Sequence, residues 1–135
     1  MFEKLKEFNI ELETTDSATD EEIENFEKVL SIQLGNEYRS FLKEFGTLEI
    51  EYFEFYGIYG NNLSLPSAIY ATEYTRKNIE KFSKDLIVFY ETGDGSFYCV
   101  DTNDNVFLCN YNRCNPIRQT FKQFIFAKVE TLTDE

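Results

Sequence analysis

The spacing of apolar residues changes at Gly46, and this change limits the folds that the chain can adopt. Before Gly46, apolar side chains recur every three or four residues, which is the period of an amphipathic helix. From Leu48 onward they recur every second residue in short runs separated by turn-forming residues, which is typical of antiparallel strands. After Pro116 the helical period returns. Helices on both sides of a run of adjacent strands predict an α+β fold.

Two consecutive helices are predicted before Gly46, after a short helix around Leu5. Thr19 and Glu22 are spaced as a capping box, in which each side chain accepts a hydrogen bond from the backbone N–H of the other residue. Asn36 is placed to cap the second helix. Gly46 is placed to end it, because glycine adopts the left-handed conformation of a helix C-terminus without steric cost.

The middle of the chain predicts a bent strand, a further helix and an antiparallel meander. The bent or bulged strand spans residues 48–58, and the helix opens at Pro66 and continues to Phe82. Three short strands joined by tight turns follow, at residues 86–91, 97–102 and 106–111. We therefore expect a single domain over residues 1–135, with an antiparallel sheet of about five or six strands and helices at the N- and C-terminal ends packed on it.

One hydrophobic core is expected. The 135 residues are 42% apolar and include 14 Phe and 9 Tyr, which is enough to bury a core without a metal or disulfide framework. The residues assigned to this core are Ile23, Phe26, Phe41, Leu42, Phe45, Val88, Val100 and Phe124.

The chain contains no histidine, and this excludes several kinds of catalytic site. A Ser-His-Asp triad, a Cys-His pair and an HExxH zinc site all require an imidazole. A calcium loop starting at Asp101 would have Val106 and Asn112 where Gly and Glu are required. The segment Gly93–Gly95 lacks the GK[ST] of a phosphate-binding loop and predicts a hairpin turn. We expect no enzyme, cofactor or metal site, with an acid–base pair among the 25 acidic residues as the alternative.

The three cysteines, Cys99, Cys109 and Cys114, are expected to be reduced structural thiols. Their number is odd and no CxxC motif is present. A free cysteine packs as a small buried apolar side chain. The alternative is a redox or metal role for Cys109 and Cys114, although two thiols without a histidine fall short of a closed zinc shell.

The chain is acidic, and most of its negative charge lies in its first part. The formal net charge is −12. Residues 1–54 contain fifteen acidic and five basic side chains, whereas residues 55–135 contain ten and eight. Such a field repels nucleic acid, whose binding depends on Lys and Arg. A basic partner protein is therefore favoured over DNA or RNA, with solvated helix faces as the alternative explanation of the acidity.

The sequence lacks signals for membranes or secretion. No apolar stretch approaches the roughly 20 residues of a membrane span. No basic region followed by an apolar one marks a secretory signal after Met1. We therefore expect a cytoplasmic protein without membrane contact, and its oligomeric state is left open.

Four segments match the pattern of a known family. Residues 23–27 have the form I-x-x-F-E, and residues 41–46 form a helix end of the type F-L-x-x-x-G. Residues 93–101 form a glycine-rich hairpin with a Y-x-h-D strand, where h is an apolar residue, and residues 121–125 match a closing helix. This order resembles the SUKH superfamily, which includes the yeast cell-wall assembly regulator and many bacterial toxin-immunity proteins. Gly35 stands where that family usually has Pro, and the Trp common in its members is absent.

The resemblance implies a small α+β scaffold that binds proteins. In bacteria such a protein is most often an immunity protein that neutralises a cognate polymorphic toxin. An acidic inhibitor would be steered toward the basic cleft of a nuclease toxin, so the expected partner is a basic toxin protein. The alternative implied by the resemblance is a regulatory or scaffolding protein of the cell-wall-regulator type.

The candidate partner-binding residues lie where acidic and aromatic side chains occur together. Residues 48–59 interleave glutamates with more aromatic side chains than one strand face can readily hide. Asp94 and Asp104, in two predicted turns, are also candidate partner-binding residues, and the sequence does not fix where these turns lie relative to the strand. The alternatives are that the aromatic residues pack in the core while the glutamates are only solvated, or that the acidic helix at residues 20–27 binds the partner. The predicted site residues are Glu49, Glu51, Tyr52, Glu54, Tyr56, Asp94 and Asp104.

Overall fold

The computed structural model describes residues 1–133. The helices are a short 3-10 helix at Glu3–Glu7, α1 at Asp20–Leu30, α2 at Asn36–Phe45, α3 at Ala68–Asn78 and α4 at Phe121–Thr133. The strands are β1 at Glu13–Thr14, β2 at Leu48–Ile50, β3 at Phe53–Phe55, β4 at Ile87–Glu91, β5 at Phe97–Val100, β6 at Asn105–Cys109 and β7 at Cys114–Thr120. No helix among these residues is long and apolar enough to cross a membrane.

The strands form two antiparallel sheets. One sheet has the order β1-β2-β3, and the other has the order β4-β5-β6-β7. Just after β3, the backbone N–H of Tyr56 donates to the carbonyl of Phe89 on β4 at 2.8 Å, which brings the two sheets together. The α+β class is therefore confirmed, and the prediction of one sheet with about five or six strands is wrong.

Residues 48–58 begin as a hairpin, which corrects the prediction of one bent strand. Ile50 lies opposite Phe53, and the chain reverses at Glu51 and Tyr52. Glu51 adopts a left-handed backbone conformation with a φ of 54°. Hairpin turns of this length usually contain Gly, Asn or Asp, and this turn contains none of them, so the sequence lacks the usual turn signal.

The predicted N-terminus of α1 and C-terminus of α2 are confirmed. The backbone N–H of Glu22 donates to the Thr19 hydroxyl at 3.1 Å, and the backbone N–H of Thr19 donates to the Glu22 carboxylate at 2.9 Å. Gly46 ends α2 with a φ of 73°, and a Cβ at this position would overlap the carbonyl oxygen of Asp16. The predicted Asn36 cap is wrong, because Asn36 is the first residue of α2.

Helix α3 and strand β7 differ from the prediction. The α3 helix begins after Pro66, where the Ser67 hydroxyl accepts a hydrogen bond from the Tyr70 backbone N–H at 3.1 Å, and it ends before Phe82. Strand β7 pairs with β6 but was not predicted from the sequence. Its side chains are polar or only partly buried and it includes Pro116, so it shows no clear alternation of apolar residues.

The eight residues assigned to the core are all buried in one cluster, as predicted. Phe121 of α4, which is fully buried, connects the helices to β4 within this cluster. Its ring centroid lies 5.0 Å from those of Tyr38 and Phe41 on α2, and 4.9 Å from that of Phe89 on β4. The helices at both ends of the chain therefore share one aromatic core with the larger sheet.

Cys109 and Cys114 form a disulfide between β6 and β7, which corrects the prediction that both are reduced. The two residues lie directly opposite each other in the hairpin. This pairing could not be inferred while β7 was unrecognised. Cys99 is a free buried thiol, as predicted, and burial raises its pKa.

Candidate functional site

Four of the predicted site residues lie together on the β2–β3 hairpin. Glu49 is on β2, Glu54 is on β3, and Glu51 and Tyr52 form the turn between them. The three predicted residues outside the hairpin are Tyr56, Asp94 and Asp104.

Three glutamates lie opposite one another across the three-stranded sheet. Glu13 of β1 pairs with Glu49 of β2, which pairs in turn with Glu54 of β3. We call these three residues the glutamate row. Burial, and secondarily the charge of Glu49, raises the pKa of Glu54. Like charges at opposed positions destabilise a sheet, so the row works against the stability of the free protein.

A pocket of about 200 Å³ adjoins the glutamate row. Its lining consists of Glu11, Glu13, Glu49 and Glu51. Three ion pairs form among residues 1–133, and none of them includes a glutamate of this pocket or Glu54. The negative charge here therefore lacks a paired cation within the described residues. We define the acidic hairpin surface as Glu11, Glu13, Glu49, Glu51, Tyr52 and Glu54.

Tyr52 is the aromatic residue that this surface presents to solvent. Its side chain is 79% exposed at the hairpin turn, and its ring lies against Phe53 with 4.9 Å between centroids. Phe53, Phe55 and Tyr56 are buried. The alternative in which the aromatic residues pack in the core is therefore correct for these three residues and wrong for Tyr52 and for Tyr59, which is 40% exposed.

Tyr56 is buried, and its hydroxyl positions the carboxylate of Glu91, which was not among the predicted site residues. Its hydroxyl donates to Glu91 Oε1 at 2.8 Å. Burial first, then the hydrogen bond to Glu91, raises the pKa of Tyr56. Tyr56 is thus placed to orient Glu91 and is not itself an exposed contact residue.

Lys128 of α4 connects the hairpin to the larger sheet. Its Nζ lies 5.5 Å from the ring centroid of Phe53 on β3, and 5.9 and 5.8 Å from those of Tyr90 on β4 and Tyr98 on β5. The ring of Phe124, on the same helix, is at 5.4 Å. Cation–π attraction at these distances is favourable, so the turn end of the hairpin is held in a defined position.

Asp94 is exposed in the β4–β5 turn, where it shapes the turn itself. Its carboxylate accepts hydrogen bonds from the Thr92 hydroxyl and from the backbone N–H of Ser96, the latter at 3.0 Å. These hydrogen bonds, that of Thr92 foremost, lower the pKa of Asp94. Consecutive turns of a meander lie at opposite ends of the shared strand, so Asp94 and Asp104 do not belong to one surface.

Asp104 is buried, whereas the sequence analysis placed it on the surface. Its carboxylate accepts hydrogen bonds from the backbone N–H groups of Glu37 at 2.9 Å and Tyr38 at 3.0 Å, which caps α2. Its backbone carbonyl accepts from the N–H of Phe121 at 2.8 Å, where α4 begins. A Cβ on Gly35 would lie 2.5 Å from this carboxylate, which explains why glycine stands there. Asp104 therefore joins the starts of two helices.

Glu11 and Glu13 of the acidic hairpin surface were not predicted from the sequence. Strand β1 has only two residues, too few to show an alternating pattern. The available signal was the excess of acidic residues in 1–54, which does not indicate which of them meet in space.

These features define a small α+β domain with an acidic surface on its smaller sheet. Within residues 1–133, no group of three or more Cys, Asp or Glu side chains is placed to hold a metal ion. The chain belongs to the SUKH_5 family, described as SMI1-KNR4 cell-wall, whose model matches residues 1–126. This match confirms the resemblance to the SUKH superfamily. No curated protein matches the chain at the threshold for significance.

Proposed function

We propose that this chain is a protein-binding module whose acidic hairpin surface binds a basic protein, and that it acts as an immunity protein for a bacterial polymorphic toxin. The observation that supports the binding surface is the glutamate row of Glu13, Glu49 and Glu54. Opposed like charges cost stability in the free protein. Lys or Arg side chains of a bound partner would offset that cost.

The charge of the whole chain supports the same partner chemistry. A formal charge of −12 produces a long-range field that accelerates encounter with a basic protein. The exposed Tyr52 ring at the tip of the hairpin adds the kind of aromatic contact that interfaces favour. Charge would therefore govern the association rate, while Tyr52 would contribute to the lifetime of the complex.

Membership of the SUKH family supports either toxin immunity or an SMI1/KNR4-like protein-binding role. Between these, the acidity favours an inhibitor of a basic toxin, for example a nuclease whose cleft binds phosphates. In this proposal the module is not an enzyme, needs no cofactor and acts in the cytoplasm. Because disulfides are rare in that compartment, the proposal requires the domain to stay folded when Cys109 and Cys114 are reduced.

The second candidate function is a regulatory or scaffolding protein without a toxin. The family description, SMI1-KNR4 cell-wall, favours this alternative. Identification of the partner distinguishes the two functions. An immunity protein would be captured with a toxin domain encoded by a neighbouring gene, whereas a regulator would be captured with a protein that has no toxic activity.

The binding surface is tested by reversing its charge. Glu49, Glu51 and Glu54 are replaced together by Lys, and association with the captured partner is measured at several salt concentrations. The triple variant is expected to associate more slowly and to show a weaker dependence on salt, because electrostatic steering is reduced.

A control variant carries the same charge change elsewhere on the molecule. Glu80, Asp85 and Glu130 are exposed and lie outside both the acidic helix and the hairpin, so their replacement by Lys alters the net charge equally and leaves the hairpin intact. This control is expected to affect association less than the hairpin variant does. Equal effects of the two variants, or unchanged binding by a folded hairpin variant, would show that the partner binds elsewhere.

A further inference from the structure

A second pocket, of about 320 Å³, lies between α3 and the end of β4. Its lining consists of Leu65, Tyr70, Ala71, Tyr74 and Glu91. Leu65 belongs to the loop before α3 and is 42% exposed, whereas Tyr74 on α3 is 59% exposed. The pocket thus combines aliphatic and aromatic walls with a single carboxylate.

The walls of this pocket are held in place. The Tyr70 and Tyr74 rings stack one helical turn apart, with 6.3 Å between their centroids. The loop that presents Leu65 is tied to the strand region, because the backbone N–H of Gly57 donates to the carbonyl of Pro66 at 3.1 Å. A ligand would therefore meet a largely preformed pocket.

Glu91 supplies the charge of the pocket. The Tyr56 hydroxyl holds Oε1 of this carboxylate at 2.8 Å, which leaves Oε2 available to a ligand. Glu91 takes part in none of the ion pairs formed among residues 1–133. An oriented carboxylate without a paired cation, beside apolar walls, suits a side chain that is apolar along its length and cationic at its end.

We propose that this pocket receives an arginine side chain of the basic partner. A guanidinium group stacks on tyrosine rings and also pairs with a carboxylate through its planar donors, whereas an ammonium group lacks this planar geometry. The methylene groups of the arginine would contact Leu65. A neutral apolar side chain would bury Glu91 without a compensating charge, which is unfavourable.

The arginine pocket deepens the proposed function and depends on it for the identity of the partner. The pocket and the glutamate row are linked through Tyr56, which lies two residues after Glu54 and whose hydroxyl donates to Glu91 at 2.8 Å. One basic partner could therefore contact the row and place an arginine in the pocket at the same time. The pocket supplies specificity for one side chain through its apolar and aromatic walls, whereas the pocket at the glutamate row is lined by glutamates alone.

The pocket can be tested without the partner, by NMR titration with N-acetyl-arginine methylamide. Saturable shifts are expected at Leu65, Tyr70 and Tyr74, and N-acetyl-citrulline methylamide, which is neutral and nearly the same shape, is expected to produce none. Glu91→Gln should raise the dissociation constant of the arginine probe about tenfold or more. Glu73→Gln, an exposed change on α3 outside the pocket, should leave it unchanged.

Absence of saturable shifts at the pocket, equal shifts with citrulline, or unaltered binding by Glu91→Gln would overturn the proposal. Equal affinity for N-acetyl-lysine methylamide would overturn the assignment to arginine. The captured partner separates this proposal from the proposed function. If Glu91→Gln weakens binding of the partner and the hairpin variant does not, the partner uses the arginine pocket and the proposed hairpin surface is wrong. If the hairpin variant weakens binding and Glu91→Gln does not, only the arginine pocket is rejected.

Discussion

Asp94 and Asp104 occupy successive turns of one meander, yet their carboxylates have different roles. Asp94 is exposed and accepts hydrogen bonds from its own turn. Asp104 is buried and accepts two backbone N–H groups from the first turn of α2, far along the chain. The sequence around each residue predicts a turn equally well. The difference comes from the docking of α2 against the β5–β6 turn, which local sequence does not specify.

Asp104→Ala is expected to lower the free energy of unfolding by about 2 kcal/mol or more, measured by urea denaturation. The variant loses the cap of α2, and it places alanine at a position whose φ is 64°. Asp104→Asn keeps one acceptor oxygen and tolerates this conformation, so it should cost less. Equal stability of the alanine variant and the wild type would contradict the capping role.

Glu54→Gln is expected to raise the free energy of unfolding at pH 7 and to reduce its pH dependence. Burial and the Glu49 charge raise the pKa of Glu54, so the folded state binds this proton more tightly than the unfolded state does. The contribution of Glu54 to stability therefore falls as pH rises through the raised pKa, and it grows as pH is lowered from about 7 toward the ordinary carboxyl value of 4.5. Glutamine does not titrate, and it removes the repulsion from Glu49.

Urea denaturation of wild type and Glu54→Gln at both pH values measures this effect. Burial also raises the pKa of Asp104, but Asp104 is present in both proteins and its contribution largely cancels in the comparison. Glu80→Gln, at an exposed site, serves as the control. A Glu54→Gln protein that is less stable at pH 7, or that gains as much stability on acidification as the wild type, would be inconsistent with a strained glutamate row.

Among the helices and strands, those specified by local chemistry could be predicted from sequence. The capping box of Thr19 and Glu22 and the glycine end of α2 act within a few residues, and both were found where expected. The β2–β3 turn lacks the usual turn residues, and β7 lacks an apolar alternation, so both required tertiary contacts to define them. The glutamate row depends on strand register, which is also a tertiary property.

Phe41→Ala should destabilise the protein by about 3–5 kcal/mol, a large share of the stability of a typical domain. Phe41 is fully buried on α2, and its ring contacts Phe121. Tyr52→Ala, at the exposed hairpin turn, should change stability by only about 0.5 kcal/mol. Thermal melts of both variants test the assignment. A Phe41→Ala melting temperature within a degree or two of wild type would show that the helix register is wrong.

Across the whole molecule, the stabilising contacts and the candidate binding groups lie in different places. The aromatic core joins α2 and α4 to the larger sheet. The carboxylates of the glutamate row lie on the smaller sheet, and Glu91 lies at the end of β4. Lys128 connects the two regions through its cation–π contacts. This separation allows the acidic surface to be changed by mutation while the core remains intact, so binding and folding can be measured independently.

Amide hydrogen exchange of the protein, alone and in complex with its captured partner, tests the proposed binding surface most directly. Binding through the acidic hairpin surface predicts slower exchange in residues 11–13 and 48–56, with little change in α1. Protection concentrated on α1, with exchange in the hairpin unchanged, would contradict this account and assign binding to the acidic helix instead.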